Sequence, residues 1–227
     1  MKTSKCSGAL LFLILTLNSC DIFEKDKDIP SLELTEVGFV GEIPTINKKI
    51  NERGFTSDYA ISLSTSISEG TYISKFLSMQ NSQHIFSISL PYVKSDDDML
   101  NSSIINSPDL LENYADEKYP LSTIKNMLSP GTKDILFNGD VKDVFILGIN
   151  LKKDNQDFYS DGDQTGSYLK VVDLVEGTGI DSNNNLINTL EVTFEMDMKM
   201  YFHHPASLVT YAGNLKGLLR MRYKEKR

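Results

Sequence analysis

Cysteine is nearly missing from this 227-residue chain: the only two, Cys6 and Cys20, both fall within the first 20 residues. If Cys6 leaves with a cleaved leader and Cys20 carries lipid, the remaining domain has no free thiol. A cysteine nucleophile, a thiolate metal site and thiol redox chemistry are then excluded. An exported domain of this size must hold together by its core, without disulfides. Tryptophan is absent as well, which removes the commonest stacking platform for sugars, although 10 Tyr and 11 Phe can partly substitute. There is no long run of Lys or Arg, and the only basic cluster is Arg220 to Arg227. Nucleic acid is therefore not expected as a partner, because that association depends on neutralising phosphates. The signatures G-x-S-x-G and H-E-x-x-H and a phosphate-cradling loop are all missing. From these absences we expect no enzyme activity and no cofactor.

What is present suits a folded domain, with 40% hydrophobic and 24% charged residues. Lys2 and Lys5 precede Ala9 to Leu17, a stretch in which only Thr16 is not apolar. It is shorter than the roughly 20 apolar residues a membrane-spanning helix needs, but suits the core of a signal peptide. Leu17-Asn18-Ser19-Cys20 follows directly. This resembles the lipobox of bacterial lipoproteins, with Asn18 departing from the small or β-branched residue usual at that place. The resemblance implies that residues 1–19 are a signal peptide and that Cys20 becomes a palmitate-type lipidated N-terminus, making membrane lipid the first partner. Each buried CH₂ contributes about 0.8 kcal/mol, so two or three acyl chains hold almost irreversibly.

Without Lys2 and Lys5 the mature chain has 21 basic and 31 acidic residues, a formal charge of −10. Residues 20–33 read as the lipidated cysteine and an acidic tether, DIFEKDKDIP at its start. An acidic segment just after the cysteine resembles the signal that takes Bacteroidetes-type lipoproteins to the outer face of the cell. In enterobacterial sorting, Asp21 would instead favour the inner membrane, so the leaflet stays open. The expected location is the cell envelope, anchored in the outer membrane and facing the periplasm or the cell surface.

Residues 34–227 read as a single β domain. Leu190, Val192, Phe194, Met196, Met198, Met200 and Phe202 alternate strictly with polar residues or tyrosine. That period of two predicts a strand with one face on a core. Further strands are predicted around 59–67, 86–90, 144–151, 168–175 and 215–223. GTGIDSNNN after Val175 predicts a hairpin turn, and Ala212-Gly213-Asn214 a second turn joining Leu208–Tyr211 to the last strand. Ser107-Pro108-Asp109 predicts a helix start, with Leu110, Leu111, Tyr114 and Ala115 on one side. Leu121, Ile124, Met127 and Leu128 predict another short helix, ended by Ser129-Pro130-Gly131. The sum is a mainly β, antiparallel two-sheet sandwich with a short helical insertion near 107–129. GTYIS, SQHIFSISLP and the closing LEVTFEMDMKMYF…YAGNLKGLLRMRY resemble uncharacterised β-sandwich lipoproteins of the Bacteroidetes type. The resemblance implies fold and location and assigns no functional residue.

Four groups of side chains invite chemistry. His203 and His204 are neighbours before Pro205, with His84 distant in sequence; turn and surface roles are expected, since adjacent strand residues face opposite ways. Asp154, Asp157, Asp161 and Asp163 with Asn155 could offer oxygens to calcium, but their spacing is not that of an EF-hand, and a solvated loop is expected. Asp96, Asp97 and Asp98 read as a water-facing turn. Glu191 and Glu195 could serve glycoside hydrolysis on geometry alone, yet a solvated strand face suits them better. Three functions follow. The first is non-catalytic binding or scaffolding toward a glycan or envelope protein; the second, a surface hydrolase of glycan or peptide. The third is a fibre accessory subunit donating Leu215–Tyr223 to a neighbour's sheet.

Overall fold

The computed structural model describes residues 36–44, 48–66, 70–95, 113–114, 117, 120–135, 144–180, 184–203 and 208–225, with 48–49, 58–66, 70–73 and 93–95 described by backbone alone. The leader, Cys20 and the tether lie outside these residues, as do His204, Asp96 to Asp98 and most of the helix expected from Ser107. Leu34–Arg227 forms one unit by its internal contacts.

Twelve strands and one described helix make up this unit, and the chain is mainly β as its patterning predicts. In order they are β1 Gly38–Ile43, β2 Lys48–Arg53, β3 Thr56–Ser66, β4 Gly70–Gln80, β5 His84–Ser89 and β6 Val93–Ser95. The helix α1 Leu121–Met127 follows, then β7 Gly131–Thr132, β8 Ile146–Leu151, β9 Gln156–Tyr159, β10 Tyr168–Ile180, β11 Leu186–His203 and β12 Val209–Lys224. Every strand ladder is antiparallel, and the path runs β2-β1-β12-β11-β9-β8-β5-β4-β3.

The two layers of the expected sandwich are therefore joined into one sheet that folds back on itself. Strands β12, β11, β1 and β2 form one half, β8, β5, β4 and β3 the other, and the short β9–β11 pairing connects them. Apolar side chains from both halves meet in one core: Phe39 of β1 stacks on Phe86 of β5 with ring centroids 4.8 Å apart. Lys75 of β4 is buried there too, and its Nζ donates to the Tyr223 hydroxyl of β12 at 3.4 Å.

β11 shows why local patterning sufficed for its face. Leu190, Val192, Phe194, Met196, Met198 and Met200 are all fully buried, while Glu191, Glu195, Asp197, Lys199 and Tyr201 are partly exposed. Burying each such apolar side chain stabilises the fold by roughly 1.5–3 kcal/mol. The helix α1 buries Ile124, and Leu128 just after it, with Leu121 and Met127 packed at the margin. These are the residues its spacing singled out.

Three local expectations need correction. Ala212-Gly213-Asn214 is no turn: Met200 pairs with Gly213 and Tyr201 with Tyr211, so Ala212 is one extra residue bulged out of a continuous β12. Gly177, Thr178, Gly179 and Ile180 are not part of the hairpin loop but continue β10, opposite Thr189 to Leu186. The backbone ladder tolerates glycine there because Thr189 packs across the bare positions. The acidic loop is interrupted as well, since Gln156–Tyr159 forms β9 between β8 and β11. The expected donor segment Leu215–Tyr223 is bonded to β11 along its length and to β1 from Lys216 to Arg220. It has little free edge to lend.

Candidate binding face

Where β9 and β10 meet β11, two strands share one edge. β10 pairs with β11 as far as Tyr168 opposite Asp197, and β9 takes over at Tyr159 opposite Tyr201. The intervening residues 160–167 loop over the outer face. Gln164 anchors this loop, and Gly162 lets it lie flat: a Cβ there would sit 2.5 Å from the Tyr201 ring. The Tyr201 hydroxyl donates to the Asp163 carbonyl at 2.6 Å, completing the clamp.

Beside this loop the register builds an aromatic row. Tyr159, Tyr201 and Tyr211 are direct partners on β9, β11 and β12 and so point to the same face. With strands about 4.8 Å apart, the row spans about 10 Å. The Tyr201 and Tyr211 rings meet edge to face at 5.9 Å, and Tyr159 meets His203 in the same manner at 5.9 Å. Tyr159 is 39% and Tyr211 54% exposed, with Leu208 and Val209 exposed alongside. The row continues into small residues, Gly148 beside Tyr159 and Ser87 beside Gly148. A Cβ on Gly148 would fall 2.6 Å from Ser87 Oγ and 3.3 Å from the Tyr159 ring, so these two side chains close over the glycine.

Polar groups rim the row. His203 Nε2 lies 2.8 Å from Asp161 Oδ2. Asp157 accepts from Asn150 Nδ2 at 2.7 Å. Asp163 accepts from the Thr165 hydroxyl and amide and from Lys199 Nζ; with Thr165 the strongest influence, these donors hold its carboxyl at about 2. Partial burial first, and then the carboxylates of Asp157 and Asp161, push the Tyr159 phenol up. It therefore stays a protonated donor at neutral pH.

The structure brings some of the expected groups together and separates others. Asp161 and His203 meet, 42 residues apart in sequence. His84 does not join them: it lies on the core side of β5, with Nδ1 2.7 Å from Glu52 Oε2. Asp154 sits in the turn between β8 and β9. Among the described residues, no three His, Cys, Asp or Glu side chains are grouped to hold a metal ion. Glu191 and Glu195 share the outer face of β11 but lie four residues apart, about 13 Å along a strand. That exceeds the spacing of roughly 5–9.5 Å that glycoside hydrolysis uses. Each is also engaged elsewhere: Arg220 and Arg222 take one oxygen of Glu191 each, and the Tyr168 hydroxyl donates to Glu195 at 3.3 Å. Burial alone would raise the Glu191 carboxyl, but the two guanidinium groups outweigh it and hold it below its ordinary value.

Sequence reasoning missed the tyrosine row because its members come from three segments and only pairing register aligns them. The alternation along 190–202 placed Tyr201 on the outer face, which was the one available hint. No protein-family model, curated protein or solved structure matches the chain.

Proposed function

We propose that this chain is a lipid-anchored, non-catalytic binding module of the cell envelope, held through acylated Cys20, that presents the Tyr159–Tyr201–Tyr211 face to a glycan. The observation that carries this reading is the alignment of three tyrosines across adjacent strands, with Tyr159 and Tyr211 open to solvent on either side of the clamped Tyr201. Tyrosine offers a sugar both an apolar ring face and a polar hydroxyl. Asp157, Asp161 and His203 at the rim supply acceptors and a donor for hydroxyl groups. The lipobox-like LNSC and the acidic segment after it support the anchor and the envelope location.

The test is isothermal titration of the purified protein against a panel of soluble polysaccharides and their oligosaccharides. At least one should bind, and Tyr159→Ala and Tyr211→Ala should each weaken it about ten-fold, the scale of one lost aromatic contact. Retention of full affinity by both variants would place the ligand elsewhere. Turnover of a bound glycan into shorter products would replace the reading with the hydrolase alternative. Incorporation of labelled palmitate that is lost in Cys20→Ser tests the anchor separately.

A further inference from the structure

A concavity lies at the other end of β11, about 40 Å from Tyr201 as the strand runs. On the outer face, Gly177 and Gly179 of β10 lie beside Thr189 of β11, which in turn pairs with Lys224 of β12. Thr189 is buried, and it leans over the two glycines: a Cβ on Gly177 would lie 3.1 Å from its Oγ1, and one on Gly179 3.2 Å from its Cγ2. Where side chains are missing, the sheet opens into a groove of about 350 Å³ lined also by Val175, Ile180, Glu191 and Arg222.

The charges in this groove are unevenly matched. Both oxygens of Glu191 are already taken, Oε2 by Arg220 at 2.7 Å and Oε1 by Arg222 Nε at 2.7 Å. Arg222 spends Nε and Nη2 on that contact, which leaves its Nη1 uncommitted among the described residues. The Lys224 ammonium has no hydrogen bond or ion pair among the described residues. Arg222 and Lys224 stand two residues apart on the same face of β12, about 7 Å from each other. An otherwise acidic protein thus keeps an excess of positive charge in this concavity.

We propose that this groove binds a phosphate ester, its phosphate held between Lys224 and the free edge of Arg222. A phosphate carries close to two negative charges and three acceptor oxygens, so it can accept from both cations while Glu191 keeps its own donors. Thr189 adds a hydroxyl at the floor. The groove is far larger than a phosphate, at the small end of ligand-sized pockets, and Val175 and Ile180 give the body of the ester an apolar wall. The site is independent of the tyrosine face and stands or falls without it.

The probe is glycerol 3-phosphate, titrated at low ionic strength into the full-length protein and followed by amide NMR shifts, with acetate as the carboxylate control. Saturable shifts at Thr189 and Lys224 are expected, with acetate producing none. Lys224→Ala should weaken binding about ten-fold, the loss of one charge-assisted hydrogen bond, whereas Tyr211→Ala should leave it unchanged. Equal binding by Lys224→Ala, equal binding of acetate, or no saturable shift overturns the proposal. Sedimentation with phosphatidylcholine vesicles containing phosphatidic acid, against phosphatidylcholine alone, separates the sources. A preference for the anionic vesicles that Lys224→Ala abolishes identifies a lipid headgroup, and its absence alongside glycerol 3-phosphate binding identifies a soluble ester.

Discussion

The side chain of Gln164 stands in for a strand against Lys199. Its Oε1 accepts from the Lys199 amide at 3.1 Å and its Nε2 donates to the Lys199 carbonyl at 2.8 Å, as a neighbouring backbone would. The pairing falls in the gap where β10 has ended and β9 has not begun. It lets one strand be bordered by two others while the loop between them is thrown onto the outer face beside Tyr201.

Replacing Gln164 should therefore cost stability out of proportion to a loop position. The residue is fully buried, and without it the Lys199 carbonyl loses its donor, whereas the amide keeps Ser167 Oγ at 3.2 Å. An unsatisfied buried group costs about 1–3 kcal/mol, so Gln164→Leu should lower the urea midpoint by an equivalent of about 2 kcal/mol. A change indistinguishable from zero would mean that water or the loop itself replaces the amide.

Gly41 and Gly217 face each other on β1 and β12 with no room for a methyl group. A Cβ on Gly41 would fall 1.9 Å from the Lys216 carbonyl oxygen, and one on Gly217 would fall 2.1 Å from that of Val40. The obstacles are backbone atoms within a ladder, which cannot rotate aside. Gly41→Ala and Gly217→Ala should each exceed about 3 kcal/mol, beyond ordinary overpacking. Circular dichroism melting of the purified variants would show it, and a native-like melt for either would refute the fit.

The two faces of β11 should respond differently to truncation. Met196→Ala removes a fully buried side chain and should cost about 2–5 kcal/mol. Glu195→Ala, one position away on the outer face, should stay within about 0.5 kcal/mol. Denaturant titrations of the pair would check the alternation directly, and similar losses in both would contradict it.

Asp163 supplies a pH signature. Its carboxyl lies below the usual value because it accepts from Thr165 and Lys199 when ionised, at about 2. A depressed carboxylate contributes stability that is present above its unfolded value and lost as pH falls through the folded one. The loop 160–167 should thus stay ordered down to about pH 4 and loosen between there and pH 2. A carbon-detected NMR titration should find the Asp163 midpoint near 2, and Thr165→Val should move it upward. A midpoint at the ordinary aspartate value would show that the Thr165 contacts do not persist in solution.

Much of the strand content was legible because it is written locally. The same holds for α1, whose apolar spacing and Ser-Pro-Gly stop lie within a dozen residues. The bulge at Ala212 was not legible: Ala-Gly-Asn is good turn chemistry, and only the unbroken ladder with β11 on either side turned a chain reversal into one extra residue. Gln156–Tyr159 hid among aspartates for a similar reason, since a four-residue strand between stronger neighbours needs no pattern of its own.

By itself, the amino-acid order determined that residues 190–202 form a strand, which of its side chains face inward, and that cysteine chemistry has no part in the folded domain. Those properties depend on period and composition, which a chain carries wherever it is placed. Only the tertiary structure decided that Tyr201 stands between Tyr159 and Tyr211, that Asp161 reaches His203, and that two arginines close on Glu191. Each of these rests on the register between strands distant in sequence, and a shift of one residue would turn the partners to the opposite face.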